Sequence, residues 1–547
     1  MSTPTITPYR SAQRPGRDDF PHLLRAEWTK FRSVRGWWIA MIAAALLTAL
    51  AVAAIASAAN GKQNPGAHPT VAIGPGGEAV TDSFYFARQS LDGNGSITAR
   101  ITSLADGELP GQGTGSSTHT AQPWAKAGIM IKASTTAGSA YAAVMATPGH
   151  GVRMQYDFTH DIAGLAGVPS AASPRWLRLT RSGDTVTGYD SADGRHWTEI
   201  GTASLAGLAS TAQAGLFAAS PQYVLGAQGF ASNNNQPFFD TRITANFDHV
   251  RLAGARPGGA WTVGHIGFGT GPAQPANVNG RPPVSVHCGP NGGHCKGVAT
   301  PQGSRFSEAG GRFTLSGSGG DVAPYVADLD PLGTVLKGSA VGLLAVIALG
   351  ALFVTAEYRR GLIRTTFAAS PRRGRVLAAK ASVIGSVTFV AGLAGTAIAM
   401  RIAVRKLHSG GWVSSVYPVW SLTSGHGLQI VVGTAGLLAV AAILALSAGA
   451  VLRRSTGAIT VVVALLIVPV ILGVTLPQTA AVWVLRLTPA AAFGLQEGTP
   501  RYSQVMHACL PYNGCFPLAP WTGFAVACVW AVAALGLAAY VLRRSDA

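Results

Sequence analysis

Charge is scarce in this chain. Only 12% of its 547 residues are Asp, Glu, Lys or Arg, about half the share that a soluble domain carries. That deficit argues against an ordinary soluble enzyme. Acids are the scarcer sign, 23 against 41 Lys and Arg. No G-x4-G-K-[ST] run is present, so the phosphate cradle of a nucleotide hydrolase is missing. No two of the five cysteines stand two residues apart, so the usual thiolate spacing of a zinc site is absent too. Glu78, Glu108, Glu199 and Glu308 are scattered singly in the polar half of the chain. Glycoside hydrolysis needs two facing carboxylates about 5–10 Å apart, and nothing in the pattern supplies them. The sequence therefore assigns no catalytic residue and no metal ligand.

Long apolar runs are what the chain has instead. Trp37–Ala58 holds 22 residues without a charge, and about 20 suffice to cross a bilayer. Five further runs follow at Gly338–Ala356, Ala381–Met400, Leu428–Leu452, Ala458–Leu476 and Gly523–Leu542. A shorter run, Ala480–Phe493, is interrupted by Arg486 and Pro489 and reads as a re-entrant or interfacial helix. Six spans put both termini on one side. The segments then assigned to the cytoplasm carry 18 basic and 5 acidic residues, whereas residues 60–336 carry 17 of each. An excess of Lys and Arg marks the cytoplasmic face. The +18 net charge is thus a matter of topology, and the neutral polar region is a poor partner for nucleic acid. Arg401, Arg405 and Lys406 oppose this orientation unless the third helix projects beyond the bilayer.

The basic residues concentrate in two places. The connector Glu357–Lys380, EYRRGLIRTTFAASPRRGRVLAAK, holds seven Lys or Arg and one acid around a Ser-Pro break. Phe20–Arg35 spaces Leu23, Leu24, Trp28 and Phe31 as one helical face, with Arg25, Lys30 and Arg32 opposite. That pattern predicts an amphipathic helix lying at the interface. Residues 1–19 read as a disordered tail.

Between the first two spans the periodicity changes. After a Gly- and Pro-rich linker at 59–80, residues 81–254 show short runs of alternating polarity: SITARIT, AGIMIK, YAAVMAT, GVRMQYDF, WLRLTR, TVTGY, AGLFAA and ANFDHVRL. Short strands divided by turn clusters predict an all-β sandwich. The order of these runs, with the SADGRHW turn at Ser191–Trp197, resembles a concanavalin A-like, laminin-G-like jelly roll. Asp193 and Gly194 suit the tight turn, and Trp197 suits packing beneath the sheet. Trp124, Tyr156, Trp176 and Tyr223 are candidate platforms for a glycan, peptide or envelope ligand, or else core residues. Residues 255–336 are Gly- and Pro-rich, with one strand expected within Gly311–Pro324.

Cys288 with Cys295, and Cys509 with Cys515, form two close pairs that both fall outside the cell in this topology. Pairs in an oxidising compartment read as short-loop disulfides. His287 and His294 beside the first pair raise a metal alternative, which the spacing disfavours.

The opening LLRAEWTKFRSVRGWW, the six runs over 36–58 and 337–547, and the connector 357–380 resemble the permease subunit of a type-2 ABC exporter from high-GC Gram-positive bacteria. That resemblance implies a multi-pass cell-membrane protein with an inserted extracytoplasmic sandwich. It implies a homodimer or heterodimer of permeases, and a separate ATPase subunit that binds ATP and Mg. It further implies that Glu357, Arg360, Arg364, Arg372 and Arg373 couple to that ATPase. By position, Glu357 reads either as paired to Arg360, Arg364 or a partner's arginine, or as a solvated carboxylate at a helix end. No cofactor is expected on this chain. The rival reading is a membrane-anchored receptor or adhesion protein whose sandwich is the working part.

Overall fold

The computed structural model describes residues 20–60, 71–107, 122–221, 241–255, 260–267, 304–318, 320–325, 330–362, 372–410, 419–505 and 515–544. Short pieces at 223–224, 238–239, 286–287, 298–299 and 365–366 lie between them.

The helices are α1 (Phe20–Ser33), α2 (Arg35–Asn60), α3 (Pro331–Leu336), α4 (Ser339–Arg359), α5 (Arg373–Ser409), α6 (Gly425–Leu452), α7 (Ser455–Thr475), α8 (Gln478–Leu487) and α9 (Pro520–Arg544). Among the described residues, six helical stretches are long and apolar enough to cross a membrane: α2, α3 with α4, α5, α6, α7 and α9. The most enclosed is α6, which packs against α4, α5, α7 and α9. It starts at Ser424, whose hydroxyl accepts the Gly427 N–H, and stops at Arg453, held in the left-handed region at φ 56°. The 37 residues of α5 rise about 55 Å, well beyond a hydrocarbon layer of about 30 Å. Arg401 and Arg405 occupy its far turns. The short run after α7 forms α8 and a 3-10 turn, Pro489–Gln496.

The β part is one large antiparallel sheet folded on itself, between a sandwich and a barrel. The main strands of the β part are β1 (Ala79–Asp82), β2 (Phe84–Gly107), β3 (Lys126–Lys132), β4 (Tyr141–Thr147), β5 (Gly151–Tyr156), β6 (His160–Ala163), β7 (Arg175–Ser182), β8 (Thr185–Ser191), β9 (Thr198–Ser204), β10 (Thr211–Ala219), β11 (Arg242–Ala255), β12 (Thr262–Ile266), β13 (Arg305–Ala309), β14 (Arg312–Ser318) and β15 (Val322–Pro324); of these, β1 and β15 belong to a small separate sheet and the rest to the large one. The hinge strand is β2. Its first half pairs with β10 and β12, and its second half with β7 and β11. Gly93, at φ 63°, and Gly95 sit between the halves. A Cβ at Gly95 would lie 2.3 Å from the Ala253 carbonyl oxygen, so only glycine lets β2 bend against β11 there. The core inside the fold includes Leu91, Ile97, Ile129, Val144, Leu177, Leu216, Ile243 and Leu315.

The sheet does not stop at 254, where alternation fades. The strand β12 joins β2, and β14 joins β11 with β13 beyond it. Ala79 and Val80, read as the end of a linker, belong with residues 81–82 to β1, which pairs with β15 in the small sheet. Glycine and proline in these segments hide the period-two signal, and pairing with distant strands supplies the order. The sheet also touches the helical part directly. Gln504, in the loop before α9, donates its side-chain N–H to the Phe158 carbonyl at 3.0 Å.

Candidate functional site

Among the described residues, the most concentrated buried charge in the helical part lies where α1, the end of α4 and the start of α5 meet. On α1, Leu23, Leu24 and Phe31 pack inward, and Glu27, four residues before Phe31, shares that face and is buried. The last turn of α4 points Glu357 to the same place, and Lys380 arrives from α5. Lys380 Nζ donates to Glu27 Oε2 at 2.7 Å and to Glu357 Oε1 at 2.5 Å. Lys30 Nζ donates to Glu27 Oε1 at 2.8 Å and reaches Glu357 Oε1 at 3.5 Å. Phe353 floors the cluster, its ring centroid 5.2 Å from Lys380 Nζ and edge-on to Phe31 and Trp37. Two carboxylates and two ammoniums balance, which is the condition for keeping charges out of water. The arrangement fastens the amphipathic helix to the helices on both sides of the basic connector.

Glu357 is therefore neither a solvated helix-end carboxylate nor paired with Arg360, as the sequence suggests. Its partners are Lys380 and Lys30, because the helix turns it inward while Arg360 caps the helix outward and exposed. Arg372 is exposed. Arg373 instead donates to the Leu542 carbonyl at 2.8 Å, joining α5 to the end of α9. Arg364 lies outside the described residues. The sequence reading missed Glu27 and Lys380, although an acid on the apolar face of an amphipathic helix is a readable signal.

A second cluster sits at the opposite end of α4. Asp330 accepts the Gly333 N–H at 2.7 Å and the Gly498 N–H at 2.8 Å. Glu497 accepts Arg501 at 2.7 Å and the Phe516 N–H. Trp420 and His426 contact the carbonyls of Gly498 and Glu497. The neighbouring Cys515 is disulfide-bonded, while Cys288, Cys295 and Cys509 lie outside the described residues. Burial lifts the Glu497 carboxyl to about 7, against the opposing pull of Arg501. A carboxyl raised in the fold favours folding in its protonated form. Its contribution is full below the unfolded value near 4.5 and disappears as pH rises through about 7. Wild-type melting temperature is expected to fall over that window by an amount worth about 3 kcal/mol at most. Glu497→Gln should flatten the profile, as checked by thermal denaturation between pH 5 and 8.

The four aromatic candidates do not form one platform. Trp124 is buried and stacks on His150 with centroids 3.7 Å apart. Tyr156 stacks on His160 at 4.2 Å. Tyr223 lies in a two-residue strand, and its side chain is outside the description. Trp176 lies against Gly194 of the SADGRHW turn, where a Cβ would come within 2.6 Å of the indole. Trp197 is half-buried under Arg178, 3.8 Å from its ring centroid. Trp176 also stands beside an open groove of about 950 Å³ lined by Gln89, Arg100, Asp248, His249, Trp261 and Arg312, among others. Arg100 makes two 2.6 Å bonds to Asp248 and sits 5.4 Å from the Trp176 centroid. His249 adopts φ 50° where the β2–β11 register slips between Asp248 and Arg251. Such bulges re-aim side chains, and here the imidazole comes within 5.2 Å of Trp176.

No family model and no curated protein matches the sequence. Among solved structures, scytalido-glutamic peptidase with a transition state analog inhibitor aligns at 10% identity, over 43% of this chain and 98% of that one, with a TM-score of 0.22. SCP-B, a member of the Eqolisin family of peptidases in a complex with the tripeptide Ala-Ile-His, aligns at 8% identity over 43% and 98%, with a TM-score of 0.21. A functionally unknown protein from Saccharomyces cerevisiae aligns at 11% identity over 30% and 71%, with a TM-score of 0.19. Likenesses this slight carry no argument about what the chain does.

Proposed function

We propose that this chain is the permease subunit of an ATP-driven exporter of the type-2 ABC class, working with a separate cytoplasmic ATPase. The observation that carries the proposal is the ion cluster of Glu27, Lys30, Glu357 and Lys380. A membrane anchor has no use for an interfacial helix locked to both sides of a basic connector. A mechanical transporter does, because a push on the connector then moves α1, α4 and α5 together. In this reading six helices cross the bilayer, and both described ends of the helical part face the cytoplasm. The β part is extracytoplasmic, with a jelly-roll ancestry, and the permeases act as a dimer. The charge distribution supports that orientation: 18 basic and 5 acidic residues fall on the inner side, against 17 of each in residues 60–336. Among the described residues, Arg360 and Arg372, exposed beside the connector, are free to meet the ATPase, and Arg364 belongs to the same surface in this reading. ATP and Mg belong to that partner.

The test is affinity purification of the tagged chain from its native membrane. A small ATPase is expected to accompany it, and Glu357→Lys is expected to abolish ATP-dependent export. If no ATPase is recovered and Glu357→Lys leaves export unchanged, the reading fails. The groove beside Trp176 favours a second reading, a receptor that holds a ligand on the sandwich. Binding of the full chain to a glycan array, lost on Trp176→Ala, would support that role.

A further inference from the structure

Beneath the small layer formed by β1 and β15, strand β3 buries two lysines on one face. One of them, Lys132, has its side chain fully enclosed together with that of Asp82 on β1. Lys132 Nζ stands 2.7 Å from Asp82 Oδ2 and also donates to the Ser139 carbonyl at 2.8 Å. The Gly138 N–H donates to the same Asp82 oxygen at 2.7 Å, while Oδ1 has no hydrogen-bond partner among the described residues. The rings of Tyr141 and Phe158, both fully buried, lie 5.6 and 5.5 Å from the amine. Phe158 is put there by a turn in which Asp157 and Phe158 both take positive φ, 42° and 61°.

Two full charges in a dry aromatic pocket are costly, and such groups tend to share a proton as neutral amine and acid. Burial acts on the Lys132 ammonium in that direction, lowering its pKa against the pull of Asp82 and Asp157. An amine and a carboxyl held in contact have a very high effective concentration, and exclusion of water disfavours the reverse hydrolysis.

We propose that Lys132 and Asp82 join in an intramolecular amide, cross-linking the strand that leaves the first long helix to the middle of the sheet. The Nζ lone pair attacks Asp82 Cγ and the C–N bond forms. The oxygen held by the Gly138 N–H stays as the amide carbonyl. The bond from Cγ to the other oxygen breaks, and that oxygen departs as water, taking one proton from the amine and one from the carboxyl. Nothing else is consumed. The second pair, Lys126 with Asp321 at 2.6 Å, lacks this enclosure. Asp321 is buried, but its side chain keeps 10% exposure where that of Asp82 keeps none, and it also accepts the Val322 N–H, while Lys126 donates to the Val322 carbonyl. It remains an ion pair. The amide would bind β1 to β3 permanently, so strain passing between the sandwich and α2 could not peel β1 away.

The test is mass spectrometry of the purified full chain after reduction of disulfides. The intact mass is expected to be lower than the mass of the same chain without the bond by one water. A protease digest should give the Asp82 and Lys132 fragments joined, and the Asp321 fragment linear. Asp82→Ala should restore the full mass. If the wild-type digest yields the Asp82 and Lys132 fragments mainly as separate linear peptides, the proposal is wrong, whether or not the variant folds.

Discussion

Lys380→Met is expected to cost about 3–5 kcal/mol of stability, the usual penalty for removing one partner from a buried charge network. Lys380 is the only member that bonds closely to both carboxylates. Without it, Glu27 and Glu357 face each other with Lys30 alone, whose side chain is 44% exposed and 3.5 Å from Glu357. One buried carboxylate must then take up a proton or turn outward, and α1 loses its main tie to α5. Thermal melting in detergent reads the stability, and limited proteolysis between α1 and α2 reads the release of α1. Lys380→Met combined with Glu27→Gln should recover part of the loss, because the remaining Lys30–Glu357 pair is again neutral. The coupling between the two sites is expected at about 1–3 kcal/mol in a double-mutant cycle. High salt should change little, since enclosed pairs are weakly screened. A Lys380→Met protein that melts like the wild type would remove the cluster from any structural or mechanical role.

Local pattern made the helices and the inner strands of the sheet readable. Trp37–Ala58 and the later apolar runs each coincide with an observed helix, Gly338–Ala356 starting one residue before its helix and Ala458–Leu476 ending one residue after. Arg401, Arg405 and Lys406 lie on α5 itself, which runs on to Ser409 past the end of the apolar run. What stayed hidden depends on contacts between distant parts of the chain. Glu357 could be seen as the lone acid of a basic segment, but its partners lie 23 and 327 residues away. Arg360, the nearby arginine that local pattern suggests, is not among them. A strand is expected within Gly311–Pro324, and Arg312–Ser318 forms one there, but Thr262–Ile266 and Arg305–Ala309 escaped for the same reason. Thr262–Ile266 is ordered by pairing with residues 84–88, and no local period announces that. The groove depends on a register slip that turns His249 toward Trp176. In the sequence, His249 is simply one polar residue in an alternating run.

Gly350→Leu should be the most damaging single change in the middle of the helical bundle. Gly350 lies on α4 where that helix crosses α6, the most enclosed helix of the bundle. A Cβ at Gly350 would sit 2.4 Å from the Ala442 carbonyl oxygen and 3.0 Å from its Cα. The obstacle is backbone, so no rotamer change can relieve it. Lipid chains are as apolar as leucine, so burial does little to press these helices together, and close backbone approach through small residues must hold them. Forcing α4 away from α6 opens that contact and shifts Val346 and Phe353, which pack in the same core as Leu438 and Leu446. Overpacking in well-filled cores typically costs about 1–3 kcal/mol, and a backbone obstacle belongs at the upper end or beyond. Gly350→Ala should lose a smaller amount, because one methyl needs a smaller separation. Gly536 on α9 is the control: nothing lies within 4 Å of its Cβ position, so Gly536→Ala should be neutral or gain from helix propensity by up to about 1 kcal/mol. Melting temperature and the yield of monodisperse protein in detergent should rank the three as Gly536→Ala, then Gly350→Ala, then Gly350→Leu. Equal behaviour of Gly350→Leu and Gly536→Ala would mean that α4 and α6 are not held by this contact, and that the push assigned to the connector has no rigid path into the bundle.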